Sequence, residues 1–341
     1  MKNRTFAYLT ISCTMLGCVL SAPHGLAQTR PAGLRGTDTA VSGPQPLSEG
    51  DGASPAASPK YTFTVFDFPD TFYTDGFGIN SGAASSNLEI VGGIGNIGSP
   101  AGFTGGFLMG YAKANGAITE TFEGVNIPDA TQQLATGVND SGEIVGQYSD
   151  SSGAWHGYLQ SGGTFTTIDV PFSGATWTET EGIANTGDVV GYWLDATTSH
   201  GFLLSGGTYT SFDFPGAAFT IAYGSNKHGE ITGFYGDTNG VYHGFTLSGG
   251  IYTSIDAPGA TATEAYGIND TGDIVGIYCL TAKCTDHFET FDGFVLSGGS
   301  FTTITIRGAN ASGPSGIDNK GVVAGVYYDA GGHHGFLATP K

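Results

Sequence analysis

The chain has 341 residues, of which 11 are Lys or Arg and 30 are Asp or Glu, so its formal net charge is −19. Gly supplies 58 residues and Tyr and Phe supply 16 and 22, whereas Met occurs three times. Strand and turn formers therefore outweigh helix formers, which argues against helical bundles, coiled coils and α/β folds. An acidic chain this poor in Lys and Arg is also unsuited to binding phosphate groups, so we expect no nucleic-acid partner.

Residues 1–27 have the pattern of a secretory signal peptide. Two basic residues precede an apolar run at 6–22, no acidic residue occurs before Asp38, and the Gly-Leu-Ala sequence at 25–27, with small residues at its first and third positions, suits a signal peptidase. The apolar run is short and interrupted, and no other stretch approaches membrane-spanning length. We therefore expect an exported protein, extracellular or periplasmic, without a membrane span. The alternative is a lipoprotein acylated at Cys18.

Two cysteines, Cys279 and Cys284, remain after the signal peptide is removed. They lie five residues apart in one predicted loop, so we expect a disulfide between them in an oxidising compartment. A zinc half-site is the alternative, but two further ligands are not evident.

Residues 61–341 contain six copies of one unit, after a stretch at 28–60 whose Pro, Gly and Ser content is typical of a disordered linker. One phrase pairs a Gly-bounded turn with a short apolar run, as in GINDTGDIVG at 267–276. A second joins His-Gly-Phe to Ser-Gly-Gly, as in HGFLLSGG at 200–207. A third is aromatic-Thr-x-Phe-Asp or a close variant, as in YTSFD at 209–213. The second phrase recurs every 42 to 51 residues.

Each unit contains four short β-type runs separated by turn residues. Four antiparallel strands every forty-odd residues predict a propeller blade, whereas a parallel β-helix has about half that period. The repeat region begins with the phrase of a fourth strand and ends after the phrase of a third strand. The last copy therefore lacks its fourth strand, whereas the first segment has one strand in excess. We therefore predict an all-β, six-bladed β-propeller of four-stranded antiparallel blades, closed by pairing of 61–68 with 335–339.

The phrases G-I-N-D-x-G-x-I-V-G and H-G-F-x-x-S-G-G resemble those of the HAF-repeat family of probable extracellular repeat proteins. The resemblance covers essentially all of 61–341, although this chain reads His-Gly-Phe where the family has His-Ala-Phe, and the first and fifth copies carry Gly105 and Asp292 in place of His. It implies an exported repeat protein and brings no assigned reaction and no catalytic residues.

Two sets of repeated polar residues have a structural interpretation beside a functional one. A His that recurs in separate blades is expected to brace each blade by a hydrogen bond; these residues are His156, His200, His243 and His334. An Asp that recurs after the second strand is expected to cap a turn. The functional alternative is an acidic channel mouth that holds Ca²⁺ through Asp150, Asp195, Asp237 and Asp329, with Asp67, Asp169, Asp213 and Asp256 nearby.

Residues that break the repeat are better candidates for a binding site, because a site on a symmetric scaffold has to depart from the symmetry. Trp beside carboxylates is a common arrangement in sugar-binding sites. The candidates on one predicted face are Trp155, Trp177, Glu179, Glu181 and Trp193. Asp286 and His287 are added to them, in the insertion that follows Cys284 and precedes the fifth copy of the His-Gly-Phe phrase.

Enzymatic readings meet obstacles in the sequence. No nucleophile elbow, zincin motif or phosphate-binding loop is present, and Arg307 is the only Arg after residue 35. We expect a secreted, monomeric, non-catalytic β-propeller that binds a glycan, a peptide or another cell-envelope component, with no cofactor assigned. The alternatives are a Ca²⁺-dependent hydrolase or lactonase with an acidic channel mouth, and a purely structural surface repeat protein.

Overall fold

The computed structural model describes residues 60–71, 73–82, 87–95, 105–114, 117–281 and 291–341. The predicted signal peptide, the predicted linker up to residue 59, Cys284, Asp286 and His287 lie outside the described residues. Within the described part of the chain, no helix is long and apolar enough to cross a membrane.

The described residues are all-β and form six four-stranded antiparallel blades. Blade 1 comprises β2 (Tyr73–Ile79), β3 (Asn87–Gly95), β4 (Gly105–Ala114) and β5 (Ala117–Val125), and blade 2 comprises β6 (Gln132–Val138), β7 (Ile144–Ser149), β8 (Trp155–Ser161) and β9 (Thr164–Ile168). Blade 3 comprises β10 (Trp177–Ile183), β11 (Val189–Leu194), β12 (Ser199–Ser205) and β13 (Thr208–Phe212), and blade 4 comprises β14 (Phe219–Ser225), β15 (Ile231–Gly236), β16 (Tyr242–Ser248) and β17 (Ile251–Ile255). Blade 5 comprises β18 (Ala262–Ile268), β19 (Ile274–Cys279), β20 (Asp292–Ser297) and β21 (Ser300–Ile304), and blade 6 comprises β22 (Ala311–Ile317), β23 (Val323–Asp329), β24 (Gly332–Pro340) and β1 (Tyr61–Phe66).

The ring is closed by the N-terminal strand, as the phase of the repeat predicts. Strand β1 pairs antiparallel with β24, in a register that runs from Tyr61 opposite Pro340 to Phe66 opposite Gly335. It thereby gives blade 6 the fourth strand that the last repeat lacks. The pairing also removes two exposed strand edges, which are aggregation hazards in all-β proteins.

The first strand of each blade lies nearest the axis. Each of these six inner strands contacts the inner strand of the next blade, and β2 contacts β22, so the inner strands form a complete ring. The aromatic residue of the second repeated phrase fills the centre of each blade and is almost completely buried in all six copies; these residues are Phe107, Tyr158, Phe202, Phe245, Phe294 and Phe336. The repeat in sequence is therefore a repeat of core positions.

Turn chemistry explains the glycine-rich phrases. In the hairpin between β8 and β9, Gly162 and Gly163 have φ values of 56° and 78°, which only Gly adopts without strain. Strand interiors contain Gly for a different reason. A Cβ at Gly233 of β15 would lie 2.0 Å from the carbonyl oxygen of Ile221 in β14, next to the register shift between Ala222 and Gly224.

The disc has two distinct faces. Loops that follow the second and fourth strands of each blade lie together on one of them, because antiparallel strands bring both to the same end; we call it the loop face. The hairpins between first and second strands lie on the other. There the Asn185 side-chain amide donates to Ser81 Oγ and to Asp140 Oδ2, both at 3.0 Å, which links three successive blades.

Candidate functional site

The repeated histidines each brace one blade on the loop face. His156 Nδ1 lies 2.9 Å from Asp169 Oδ1, in the loop after the fourth strand, and its Nε2 lies 3.6 Å from Asp150 Oδ2, in the loop after the second. The same arrangement holds at His200, His243 and His334. An aromatic ring from the second strand stacks on each imidazole, at centroid distances of 4.5–5.2 Å. The geometry is that of a structural clasp in four separate blades.

Asp150, Asp195, Asp237 and Asp329 lie in the hairpins of four different blades, and each accepts hydrogen bonds from within its own hairpin. Asp150 Oδ1, for example, accepts hydrogen bonds from the backbone N–H groups of Ser152 and Ala154. The Ser152 hydroxyl and these N–H groups lower the pKa of Asp150 to about 2. No group of three or more His, Cys, Asp or Glu among the described residues is arranged to hold a metal ion.

Of the three tryptophans, Trp193 is placed apart from the other two. Its ring stacks on His200 at 4.5 Å and contacts Phe172 at 5.2 Å, and its Nε1 donates to Ser211 Oγ at 3.0 Å. It therefore occupies the position that Tyr148 holds against His156 in blade 2. This Trp is a buried part of the clasp in blade 3 and does not line a groove.

Trp155 and Trp177 lie side by side on the loop face, where blades 2 and 3 meet. Trp155 begins β8 in blade 2 and Trp177 begins β10 in blade 3. Their rings are parallel, with an interplanar angle of 1° and a centroid distance of 5.7 Å, and both side chains are partly exposed. They present apolar surface at a position where the other blades carry different residues.

Buried polar groups lie below this Trp pair. Glu179 and Glu181 follow Trp177 along the same inner strand and are 1% and 7% exposed. Burial raises the pKa of both carboxyl groups, and the charge of Glu179 raises that of Glu181 further. The Tyr192 hydroxyl donates to Glu179 Oε2. We call Trp155, Trp177, Glu179, Glu181 and Gln147 the Trp155 site.

Several polar atoms of the Trp155 site have no partner among the described residues. Gln147 is completely buried, yet neither atom of its amide is hydrogen-bonded, and Trp177 Nε1 and Glu181 Oε1 are also without a partner. The Gln147 amide and the Trp177 indole lie close enough to Glu179 to stabilise its charged form, but neither makes a bond of normal geometry. A hydroxyl group or a water molecule placed between these donors and the Glu179 carboxylate would hydrogen-bond to both.

Sequence reasoning identified both Trp residues and both Glu residues of this site but missed Gln147 and Tyr192. A signal for Gln147 exists in the repeat, because the equivalent second-strand position is apolar in three other blades, as Phe234, Ile277 and Val326. Of the other predicted residues, Cys279 ends β19, and its predicted disulfide to Cys284 stays a prediction. Asp286 and His287 are likewise untested.

No family model matches the chain, and no curated protein sequence matches it. Solved structures that are similar include a mutant of AofleA from Arthrobotrys oligospora, at 11% identity and a TM-score of 0.46, over 82% of this chain and 93% of that one. Another is Aleuria aurantia lectin with Fucα1-6GlcNAc, at 11% and 0.47, over 80% and 96%. A third is the β-propeller domain of the Trilobed protease from Pyrococcus furiosus, at 8% and 0.43, over 79% and 97%. Similarity at this level concerns the fold alone.

Proposed function

We propose that this protein is a secreted, non-catalytic β-propeller that binds a neutral glycan at the Trp155 site. One observation carries the proposal: two parallel, partly exposed indole rings lie above buried polar groups that have no hydrogen-bond partner in the described part of the chain. Sugar recognition needs both features, because a pyranose ring has apolar C–H faces and a rim of hydroxyl groups.

The polar groups match the hydrogen-bonding capacity of a sugar. Glu179 accepts hydrogen bonds, Trp177 Nε1 donates one, and the Gln147 amide does both. A pair of vicinal hydroxyls would satisfy groups that otherwise stay unpaired in a buried setting, where each costs about 1–3 kcal/mol. The indole faces would supply the apolar contact.

Charge favours a neutral ligand over an anionic one. The chain has a formal net charge of −19, and the Trp155 site contains no cationic side chain. A uronic acid, a sialic acid or a phosphorylated sugar would be repelled and would find no Lys or Arg among the residues of the site. A neutral hexose or deoxyhexose carries no such penalty.

Export rests on the sequence alone, through the pattern at 1–27 and the resemblance to the HAF-repeat family. Both support the proposal that this protein acts outside the cytoplasm, where free glycans and cell-envelope polysaccharides are available as ligands. Membership of that family is part of the same proposal.

A second candidate function is glycoside hydrolysis at the same site. It is favoured by one observation, the neighbouring carboxyl groups of Glu179 and Glu181 with raised pKa values, since glycosidases use a protonated and an ionised carboxyl group together. Release of reducing ends from an oligosaccharide by the purified protein, lost in Glu179→Gln, would establish this activity in place of simple binding.

The test is calorimetric titration of the purified protein with methyl glycosides of glucose, galactose, mannose, N-acetylglucosamine and fucose. We expect at least one to bind, Trp177→Ala to weaken binding at the Trp155 site more than about tenfold (about 1.4 kcal/mol), and methyl glucuronoside not to bind. The matched control is Phe219→Ala, which truncates the aromatic residue at the same inner-strand position of blade 4. Equal binding by folded Trp177→Ala and wild type would refute the proposal.

A further inference from the structure

The boundary between blades 6 and 1 repeats the layout of the Trp155 site. His333 directly precedes the His-Gly-Phe phrase of blade 6, as Trp155 precedes the equivalent phrase of blade 2. Tyr73 begins the inner strand of blade 1, as Trp177 begins that of blade 3, and Asp75 takes the place of Glu179 two residues later. Two aromatic rings from adjacent blades and a carboxylate on the inner strand therefore recur at one other boundary.

The side chains at this second boundary are in contact. The centroid of the His333 ring lies 4.3 Å from the ring centroid of Tyr73 and 4.4 Å from that of Tyr328, and the His333 ring is edge-on to both. His333 Nδ1 lies 3.3 Å from one oxygen of Asp75 and 3.4 Å from the other. We call these four residues the His333 site.

Buried and unpartnered polar atoms are present here as well. Asp75 is completely buried, and burial raises its pKa. The Tyr328 hydroxyl is buried and has no hydrogen-bond partner among the described residues, although it lies near enough to Asp75 for that charge to raise its pKa. A buried hydroxyl and a buried carboxylate that do not bond to each other leave positions for a ligand hydroxyl, as at the Trp155 site.

His333 also differs from the four clasp histidines. Each of those has a carboxylate within 4.0 Å of both ring nitrogens, whereas His333 has one at Nδ1 only, among the described residues. A clasp function therefore does not account for it. Its Nε2 remains a polar group at the edge of an aromatic surface.

Each of the remaining blade boundaries lacks either the pair of aromatic rings or the carboxylate on the inner strand. Glu264 in blade 5 occupies the position of Glu179, but Ala262 stands in place of the inner-strand ring, and Tyr242 contacts Phe219 and Phe234 of its own blade. The inner strands of the other three blades carry no carboxylate at this position, where they have Leu134, Ile221 and Gly313.

We propose that the His333 site is a second binding site for the same class of ligand, a neutral sugar unit, so that one chain is bivalent. The inference rests on the proposed function, because the ligand class is taken from the Trp155 site. The two sites lie on the loop face of the closed ring and two blades apart, which suits them to two residues of one polysaccharide or two chains on one glycan-coated surface. Such a ligand gains avidity without any new contact.

The test is the stoichiometry of the best-binding methyl glycoside, measured by calorimetry and by native mass spectrometry. We expect two equivalents per wild-type chain, one in Trp177→Ala, one in Asp75→Asn and none in the double variant. Glu264→Gln is the matched control, since it alters a buried carboxyl group at the same position where the ring pair is missing, and it should still bind two.

Tyr73 pairs with His333 of β24 through the backbone, so replacing Tyr73 would disturb the contact between blades as well as the site. The site is therefore tested through the isosteric Asp75→Asn change and through a second measurement. In Trp177→Ala, addition of the glycoside should shift the imidazole NMR signals of His333 and leave those of His243 unchanged. One equivalent in wild type, with all binding lost in Trp177→Ala and no His333 shift, would overturn the second site and leave the Trp155 site standing. Binding that survives at two equivalents in Trp177→Ala would instead overturn the proposed function.

Discussion

His334 Nδ1 lies 2.8 Å from Asp67 Oδ1, although 267 residues separate them in the chain. In blades 2, 3 and 4 the equivalent His and Asp are 13 residues apart, because the third and fourth strands are consecutive there. The closing strand therefore supplies blade 6 with backbone hydrogen bonds and also with the carboxylate of the clasp. The N-terminal and C-terminal strands of the propeller domain therefore contact each other in the same way as the third and fourth strands of the other blades.

Removal of the N-terminal strand is expected to destabilise the ring severely. Deletion of residues 28–68 removes β1 with its backbone hydrogen bonds to β24, and it removes the buried Phe66. Deletion of 28–59 should leave the melting temperature almost unchanged, because the sequence of that segment predicts a linker. Thermal unfolding of the two variants measures the difference, and similar melting temperatures would show that closure by β1 contributes little.

The clasp at the ring closure is expected to make stability depend on pH. The hydrogen bond to Asp67 raises the pKa of His334. Its contribution is therefore complete below the unfolded pKa of about 6.5 and is lost as pH rises through the folded value. Asp67→Asn should lower the melting temperature at pH 5.5 and have little effect at pH 8.5, with a loss of about 1 kcal/mol or less since Asp67 is half-exposed. An equal effect at both pH values would contradict this.

Replacement of Glu264 by Gln is expected to stabilise the protein at alkaline pH. Burial raises the pKa of Glu264 to about 7. Its ionisation therefore costs stability progressively as pH rises from the unfolded value of about 4.5 to about 7, by about 3 kcal/mol in total. Gln can still accept the hydrogen bond of Tyr266 and carries no charge, so the melting temperature of Glu264→Gln should exceed that of wild type at pH 8. The exposed Glu123→Gln should show no such gain.

Addition of one methyl group at Gly233 is expected to be strongly destabilising. A Cβ there would lie 2.0 Å from the carbonyl oxygen of Ile221, so the two strands would have to separate, at a cost of about 3 kcal/mol or more. Gly240→Ala is the control, since its Cβ meets no atom within 4 Å and only its φ of +83° is unfavourable, which costs about 1 kcal/mol. Urea unfolding of both variants compares them, and equal losses would contradict the close approach.

Much of the Trp155 site was visible in the sequence because it breaks the repeat. Trp177 and Glu181 depart from the other inner strands, whereas the position of Glu179 is also acidic in blades 1 and 5. The three residues are close together in the chain and in space. Trp155 belongs to the preceding blade, so its contact with Trp177 depends on how two blades pack. Trp193 stands at a second-strand position that is Tyr in other blades, as at Tyr148 and Tyr235, and its ring takes the corresponding structural position against His200.

The sequence by itself determined the number of blades, the turns and the closing strand, because these depend on local chemistry that each copy repeats: Gly at positive φ in the hairpins, an aromatic residue in each blade core, and the phase of the copies at the two ends. Only the tertiary structure decided which side chains meet across blade boundaries. Asp75 and His333 are 258 residues apart and come together because the ring closes, and Gln147 faces Glu179 because adjacent blades pack face to face. Contacts between blades depend on that packing, and no short-range pattern in the chain specifies it.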